Sequence, residues 1–99
     1  SPLHIVVCGD TSKAVTTKVE DFWIQDCSSS IENILLMATS LGLGTCWCGI
    51  FPIEERINTV KEILQLDDHI IPLGLIHVGY PDNELEERTQ YDETNIIYV

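Results

Sequence analysis

The chain has 99 residues, of which 44% are hydrophobic and 21% charged, and its formal net charge is −11. This length suits one small domain, and the apolar fraction is that of a globular protein rather than a disordered chain. The 16 acidic against 5 basic residues argue against nucleic acids and anionic membranes as partners, because both require a basic surface. No apolar run reaches the length of about 18 residues that a membrane helix needs, and no signal peptide is recognisable.

The cysteines are expected to be reduced, structural thiols. Their spacing differs from the paired pattern of zinc sites, so we predict no metal site. On an extended strand, Cys46 and Cys48 would point to the same face. A disulfide framework is the alternative, but this chain is not a small cysteine-dense scaffold, so we favour a cytoplasmic protein.

The first element is a predicted strand over residues 3–8, an apolar run rich in β-branched residues that indicates burial on both faces. Because an interior strand begins here so early, we expect the natural chain to start upstream. The small and polar residues at positions 10–18 indicate a loop. Residues 19–25 predict either a helical turn or a loop whose aromatic side chains pack on the core, which we favour over a binding role for them.

The central stretch, residues 26–52, predicts a helix, a glycine turn and a short extended run. Apolar residues recur at helical spacing over a predicted helix at residues 29–41, and they cover nearly all of its sides. Such a helix needs covering surface from a partner chain or a missing segment. Its start is capped either by Ser29, with Glu32 completing a capping box, or by Asp26.

Gly42 occupies the position where a helix end favours a left-handed residue, and Leu43 can then fold back on the last turn. After the turn, the extended run ends in Trp47, Cys48 and Gly49.

Pro52 is predicted to open a second helix, where its missing N–H has no cost, with Glu54 and Glu55 at the positive end of the helix dipole. An apolar stripe packs this helix on a sheet; its members are Ile53, Ile57, Val60 and Leu64.

The last predicted strand spans residues 73–78, and Pro72 is expected to exclude the positions before it. His77 is interpreted as a packed strand residue rather than a ligand. The order strand, helix, short strand, helix, strand predicts helices packed against a sheet. No Ser-His-Asp, Cys-His, dinucleotide or P-loop pattern is present, so we predict no catalytic side chain.

An ordered set of segments resembles the C-terminal half of the FMN-dependent nitroreductase family. The segments are LHIVVCGD, ENILL with the turn LGLGT, CWCGIFP, IEERINTVKEILQL, IPLGLIHVGYP and ERTQYDE. The resemblance implies an α+β fold, an α/β sandwich whose mixed sheet is flanked by helices, with residues 1–99 as the C-terminal half of a single domain.

This sequence lacks the arginine-rich opening and the asparagine-containing loop by which family members hold the flavin. The resemblance therefore implies that an N-terminal half lies on a separate chain or a missing segment, and we expect this chain to be inactive without it.

By the same resemblance, FMN lies at the interface of a homodimer whose core contains the helix at residues 29–41. Arg88 matches the arginine that family members place near the FMN phosphate, a role that its forked guanidinium suits. A solvated tail position is the alternative for Arg88, and a core position the alternative for Trp47. The residues implied to line the flavin ring with their backbone are Trp47, Cys48, Gly49 and Ile50.

The implied activity is that of an FMN-dependent oxidoreductase. NAD(P)H passes a hydride to FMN and leaves, and a nitroaromatic or quinone then takes the electrons in a ping-pong reaction. The alternatives are a flavin-binding relative with a different substrate and a non-catalytic interaction module.

Overall fold

The structure, a computed structural model, describes residues 1–13, 22–83 and 85–99. Its strands and helices in chain order are β1 (Leu3–Asp10), α1 (Phe22–Ser40), β2 (Gly44–Gly49), α2 (Glu54–Leu64) and β3 (Ile70–Gly79). In this part of the chain, no helix has the length and apolarity required to cross a membrane.

The three strands form one antiparallel sheet in the order β1-β3-β2. The long strand β3 is central, so the last strand in sequence lies between the first two. The predicted succession of elements and the α+β fold class are confirmed.

The prediction for the first strand is wrong in one respect. We predicted that it is buried on both faces, but β1 is an edge strand of the described sheet. Leu3 and His4 are exposed, and most of its other side chains are only partly buried. An apolar run indicates a strand, but its position in the sheet depends on β3, which lies more than 60 residues further along the chain.

The last strand begins earlier than predicted, because β3 runs through Pro72 from Ile70. A proline removes one donor from the ladder, which a central strand tolerates at a bulge. The register supplies that bulge: Val7 pairs with Gly74, whereas Cys8 pairs with Pro72.

The start of α1 was also predicted wrongly. The helix begins at Phe22, so neither proposed cap lies at its end, and the expectation of a helical turn holds for residues 22–25. Residues 19–21 lie outside the described part. The extra turns form because Trp23 packs edge-to-face on Phe51, with ring centroids 5.0 Å apart, and covers the backbone at Gly9.

The end of α1 is as predicted. Gly42 has a φ of 77°. Its N–H donates to the Thr39 carbonyl at 3.0 Å, and the Leu43 N–H donates to the Ala38 carbonyl at 2.9 Å. These two bonds are those of a Schellman motif, and they satisfy carbonyls that the helix end leaves free.

The second helix starts at Glu54, so Pro52 precedes it rather than standing in its first turn. Glu54 and Glu55 lie in that first turn as predicted. No residue of α2 is fully buried, and Ile53 and Leu64 at the two ends of the predicted stripe are 44% and 47% exposed.

The core lies between α1 and the sheet. Ile31 of α1 and Ile76 of β3 are both 0% exposed, and Leu73 and Val78 belong to the same cluster. The second helix packs on the opposite face of β3, where Val60 lies beside Leu75.

Candidate functional site

The residues implied to line a flavin ring are brought together at one end of β2. Trp47, Cys48 and Gly49 close the strand, and Ile50 follows it. Trp47 pairs with Ile76, so its side chain shares the α1 face. Cys48 faces the opposite side with Leu75. We call residues 47–50 the β2 wall.

The Trp47 side chain packs on the central strand and is also partly exposed to solvent. A Cβ added to Gly74 would lie 2.5 Å from the Trp47 Nε1 and 3.1 Å from the Ile31 Cδ1, so the indole covers the backbone of the central strand. The indole is nevertheless 40% exposed. Its open part lines a groove of about 380 Å³ together with Gly49, which we call the α1-side groove. Trp47 therefore has both a core contact and a groove surface.

The backbone of the β2 wall is fixed by hydrogen bonds. The Ile50 and Phe51 N–H groups both donate to the Leu73 carbonyl, at 3.0 and 3.1 Å. The Arg56 Nη1 donates to the Gly49 carbonyl at 2.9 Å. The Ile50 N–H is thus engaged within the chain, and Ile50, at 4% exposed, serves the wall by packing.

Gly49 is the open point of the wall. It is exposed, and no described atom lies within 4 Å of the position that a Cβ would take. A second groove of about 620 Å³, the α2-side groove, adjoins it and is lined by Cys48, Ile50 and Arg56 among others. The wall is therefore anchored on the sheet and accessible from both sides, which allows a flat group to approach its backbone closely.

The nitroreductase family model matches residues 2–80. This chain belongs to the nitroreductase family. A relative from Methanothermobacter thermautotrophicus, provisionally named NADH dehydrogenase/NAD(P)H nitroreductase, is 40% identical over 96 residues, which are 97% of this chain and 49% of that protein. This chain therefore spans about half the length of the curated relatives it matches.

Solved structures agree with this assignment. A provisionally named NADH oxidase from Clostridium acetobutylicum has a TM-score of 0.87 and 40% identity, covering 97% of this chain and 57% of the other. An FMN-dependent nitroreductase from Clostridium difficile has a TM-score of 0.85 and 27% identity, covering 99% and 57%. The nitroreductase fold predicted from the sequence is confirmed.

The remaining predicted site residue, Arg88, is not brought to the wall. It is exposed in a part of the tail without helix or strand, and it is absent from the linings of the two grooves as described. The structure instead places Arg56 against the wall. Sequence reasoning missed Arg56, because a bond from its side chain to a carbonyl seven residues earlier leaves no periodic signal.

The four cysteine thiols are all free, and all four lie in the described part of the chain. Burial raises the pKa of the Cys48 thiol, and the adjacent Cys46 thiol raises it further, whereas the Arg56 guanidinium lowers it. The effect of the Cys46 thiol on the pKa of Cys48 agrees with the prediction that both side chains lie on one face of the strand.

The same face carries two histidines. The His4 and His77 rings meet edge-to-face with centroids 4.7 Å apart, and His77 is partly buried, as expected of a packed strand residue. Among the described residues, no group of three His, Cys, Asp or Glu side chains is arranged to hold a metal ion.

Proposed function

We propose that this chain supplies one wall of an FMN site in an NAD(P)H-dependent oxidoreductase that reduces nitroaromatic or quinone-type acceptors by ping-pong hydride transfer. Membership of the nitroreductase family supports the oxidoreductase class. The names of the relatives support NAD(P)H and FMN as the cofactors. The observation that carries the proposal is the open backbone of Gly49 beside the half-exposed Trp47 indole.

The residues present fit a flat aromatic ring on this side. Gly49 leaves space directly over its backbone, and the Trp47 indole and Ile50 offer apolar surface next to it. The hydrogen bonds from the wall to Leu73 hold this surface in place before a ligand arrives. In this site the side chains bind, orient and exclude water, and FMN when bound supplies the hydride chemistry.

These 99 residues have a net charge of −11, so a cation is needed where they approach the FMN phosphate. We assign this role to Arg88, whose forked guanidinium can bind two phosphate oxygens. Its position in the exposed tail means that the tail must come to rest against the cofactor site when the complete protein assembles.

We further propose that residues 1–99 are the C-terminal half of one domain, that an N-terminal half covers them, and that two copies form a cytoplasmic homodimer. The support is surface that a lone chain leaves uncovered. On α1, Phe22, Leu36 and Met37 are 55%, 61% and 61% exposed. A predominantly apolar groove of about 670 Å³ runs between α1 and β1. Exposed apolar surface of this kind marks an interface.

The test uses the assembled protein, meaning these 99 residues together with the N-terminal half. We expect it to carry FMN, to be reduced by NAD(P)H without an acceptor, and to be reoxidised by a nitroaromatic. Gly49→Val should weaken FMN binding by about tenfold or more, because the added side chain occupies the space assigned to the ring.

Valine suits a strand position, so the fold should persist in this variant. Gly44→Ala is the matched control, since Gly44 lies at the far end of β2 and a Cβ there would meet Pro81 at an ordinary 3.4 Å. If Gly49→Val leaves the FMN affinity unchanged, the proposal that the β2 wall lines the flavin ring is wrong. If the assembled protein carries no FMN, the proposed FMN-dependent oxidoreductase function is wrong.

Arg88→Ala tests the phosphate assignment separately. Loss of one charged hydrogen-bonding partner should weaken FMN binding by roughly 1.5–3 kcal/mol, measured by fluorescence titration. Lys61→Ala is the control, because Lys61 donates to the Asp68 carbonyl and is absent from the linings of both grooves as described. Equal affinities of the Arg88→Ala variant and the unmodified protein would remove Arg88 from the site.

A further inference from the structure

Arg56 is the basic residue that the described structure brings to the β2 wall. Its Nη1 donates to the Gly49 carbonyl at 2.9 Å, and its side chain lines the α2-side groove beside Cys48. The other described basic side chains are engaged or placed elsewhere. Lys13 lies 3.8 Å from a carboxylate oxygen of Asp10, Lys61 donates to the Asp68 carbonyl, and Arg88 is in the tail.

The bond from Arg56 ties two elements together at the point where the wall is most open. The Gly49 carbonyl belongs to the peptide that joins Gly49 to Ile50, and the N–H of that same peptide donates to the Leu73 carbonyl at 3.0 Å. The peptide is therefore held from α2 at its oxygen and from β3 at its nitrogen. Burial and the Cys46 thiol raise the pKa of the Cys48 thiol, and the guanidinium opposes this rise, so its positive charge acts on the wall.

We propose that Arg56 is a positioning residue for the flavin: it fixes the Gly49–Ile50 peptide against the ring and keeps a positive charge next to the wall. This inference rests on the proposed FMN site. A hydride carries one negative charge onto its acceptor, so a fixed cation nearby stabilises the site more after hydride transfer than before it. Arg56 should therefore favour binding of reduced over oxidised FMN.

Three variants separate charge from hydrogen bonding. Arg56→Lys keeps the charge, Arg56→Gln keeps a neutral donor for the Gly49 carbonyl, and Arg56→Met keeps only an apolar stem. In the assembled protein, the ratio of the dissociation constants for oxidised and reduced FMN is measured, together with the flavin midpoint potential. Lys61→Met, on the same helix, is the matched control.

We expect the preference for reduced FMN to fall roughly three- to tenfold in both Arg56→Gln and Arg56→Met, which is the range for a partly screened charge. Arg56→Lys and Lys61→Met should stay close to the unmodified protein. The loss should shrink at high salt, because ions screen an exposed guanidinium.

The other outcomes overturn the proposal. Equal weakening for both FMN states in all three Arg56 variants would show a structural tie alone. If the ratio of the dissociation constants for oxidised and reduced FMN is unchanged in the Gln and Met variants, the charge of Arg56 does not favour reduced FMN. This result would not contradict the proposed FMN site. An unmodified assembled protein that binds no FMN would refute the proposed function itself, and the Arg56 role with it.

Discussion

The two faces of the central strand β3 are covered to different extents. On the α1 face, Ile76 and Val78 pack on Ile31, and all three are at most 6% exposed. A Cβ on Gly74 would meet the Trp47 indole and the Ile31 side chain, so this position has no space for a side chain. On the α2 face, Leu75 and His77 are only partly buried, and the helix above them contributes no fully buried residue.

This difference concerns stability. The α1 face contains the core, with the α1-side groove at its edge, whereas the α2 face adjoins the α2-side groove and is covered by a helix without a fully buried residue. Substitutions on the α1 face should therefore alter the free energy of unfolding. Substitutions of equal size on the α2 face should alter it much less.

The largest effect is expected from the core of the α1 face. Ile76→Ala should lower the free energy of unfolding of the assembled protein by about 4 kcal/mol, within the usual range for a fully buried aliphatic side chain. Leu75→Ala, the adjacent residue on the α2 face, should cost about half as much because its side chain is only partly buried. Urea unfolding measures both, and equal losses would contradict the comparison.

A second test stays on one face of the sheet and compares two glycines that pair across β2 and β3. Gly49 and Gly74 are register partners, but a Cβ on Gly74 would meet Trp47, whereas one on Gly49 would meet nothing described within 4 Å. Gly74→Ala should destabilise the protein by about 1–3 kcal/mol through overpacking. Gly49→Ala should change stability by less than about 0.5 kcal/mol.

The clash with Trp47 can be verified by a double-mutant cycle. If the indole is what excludes a side chain at Gly74, then Gly74→Ala should cost less in a Trp47→Ala background than alone. Equal costs in both backgrounds would mean that Trp47 does not cover the central strand as described.

The parts of the fold that sequence could predict are those governed by local chemistry. Gly42 ends α1 because a left-handed residue is required there, and the hydrogen bonds of Leu43 follow from it. The start of α1 was missed because Trp23 is held by Phe51, nearly 30 residues away, and not by a local cap. Tertiary contacts of this kind override capping preferences.

The same limit applies to the sheet and the site. Pro72 was expected to exclude the positions before it from the last strand, but β3 begins at Ile70, because a bulge in β3 at Leu73, which has no register partner on β1, accommodates the proline. The location of residues 47–50 at one strand end follows from the sequence, whereas the bond from Arg56 to Gly49 depends on how α2 returns to the sheet. Local patterns do not determine that return.

The smallest expected effect concerns thiols on both sides of the sheet. Burial raises the pKa of Cys8, to which Cys27 adds, and burial likewise raises the pKa of Cys27, to which Asp26 adds. In the unfolded chain these thiols lose their protons near the ordinary value of 9.0, whereas in the folded chain they keep them. The folded state then binds more protons, so the free energy of unfolding falls as pH rises past 9.0.

The urea midpoint of the assembled protein should therefore decline between about pH 8 and about pH 10. Cys8→Ala with Cys27→Ala should reduce this decline, because Cys27 is partly buried against the core and its charge acts on the partly buried Cys8. Cys46→Ala should reduce it only slightly, because its effect acts through Cys48, whose pKa is raised by burial first and by the Cys46 thiol in addition. If the decline persists unaltered in the double variant, the alkaline sensitivity does not arise on the α1 face, and the contrast between the two faces does not extend to their thiols.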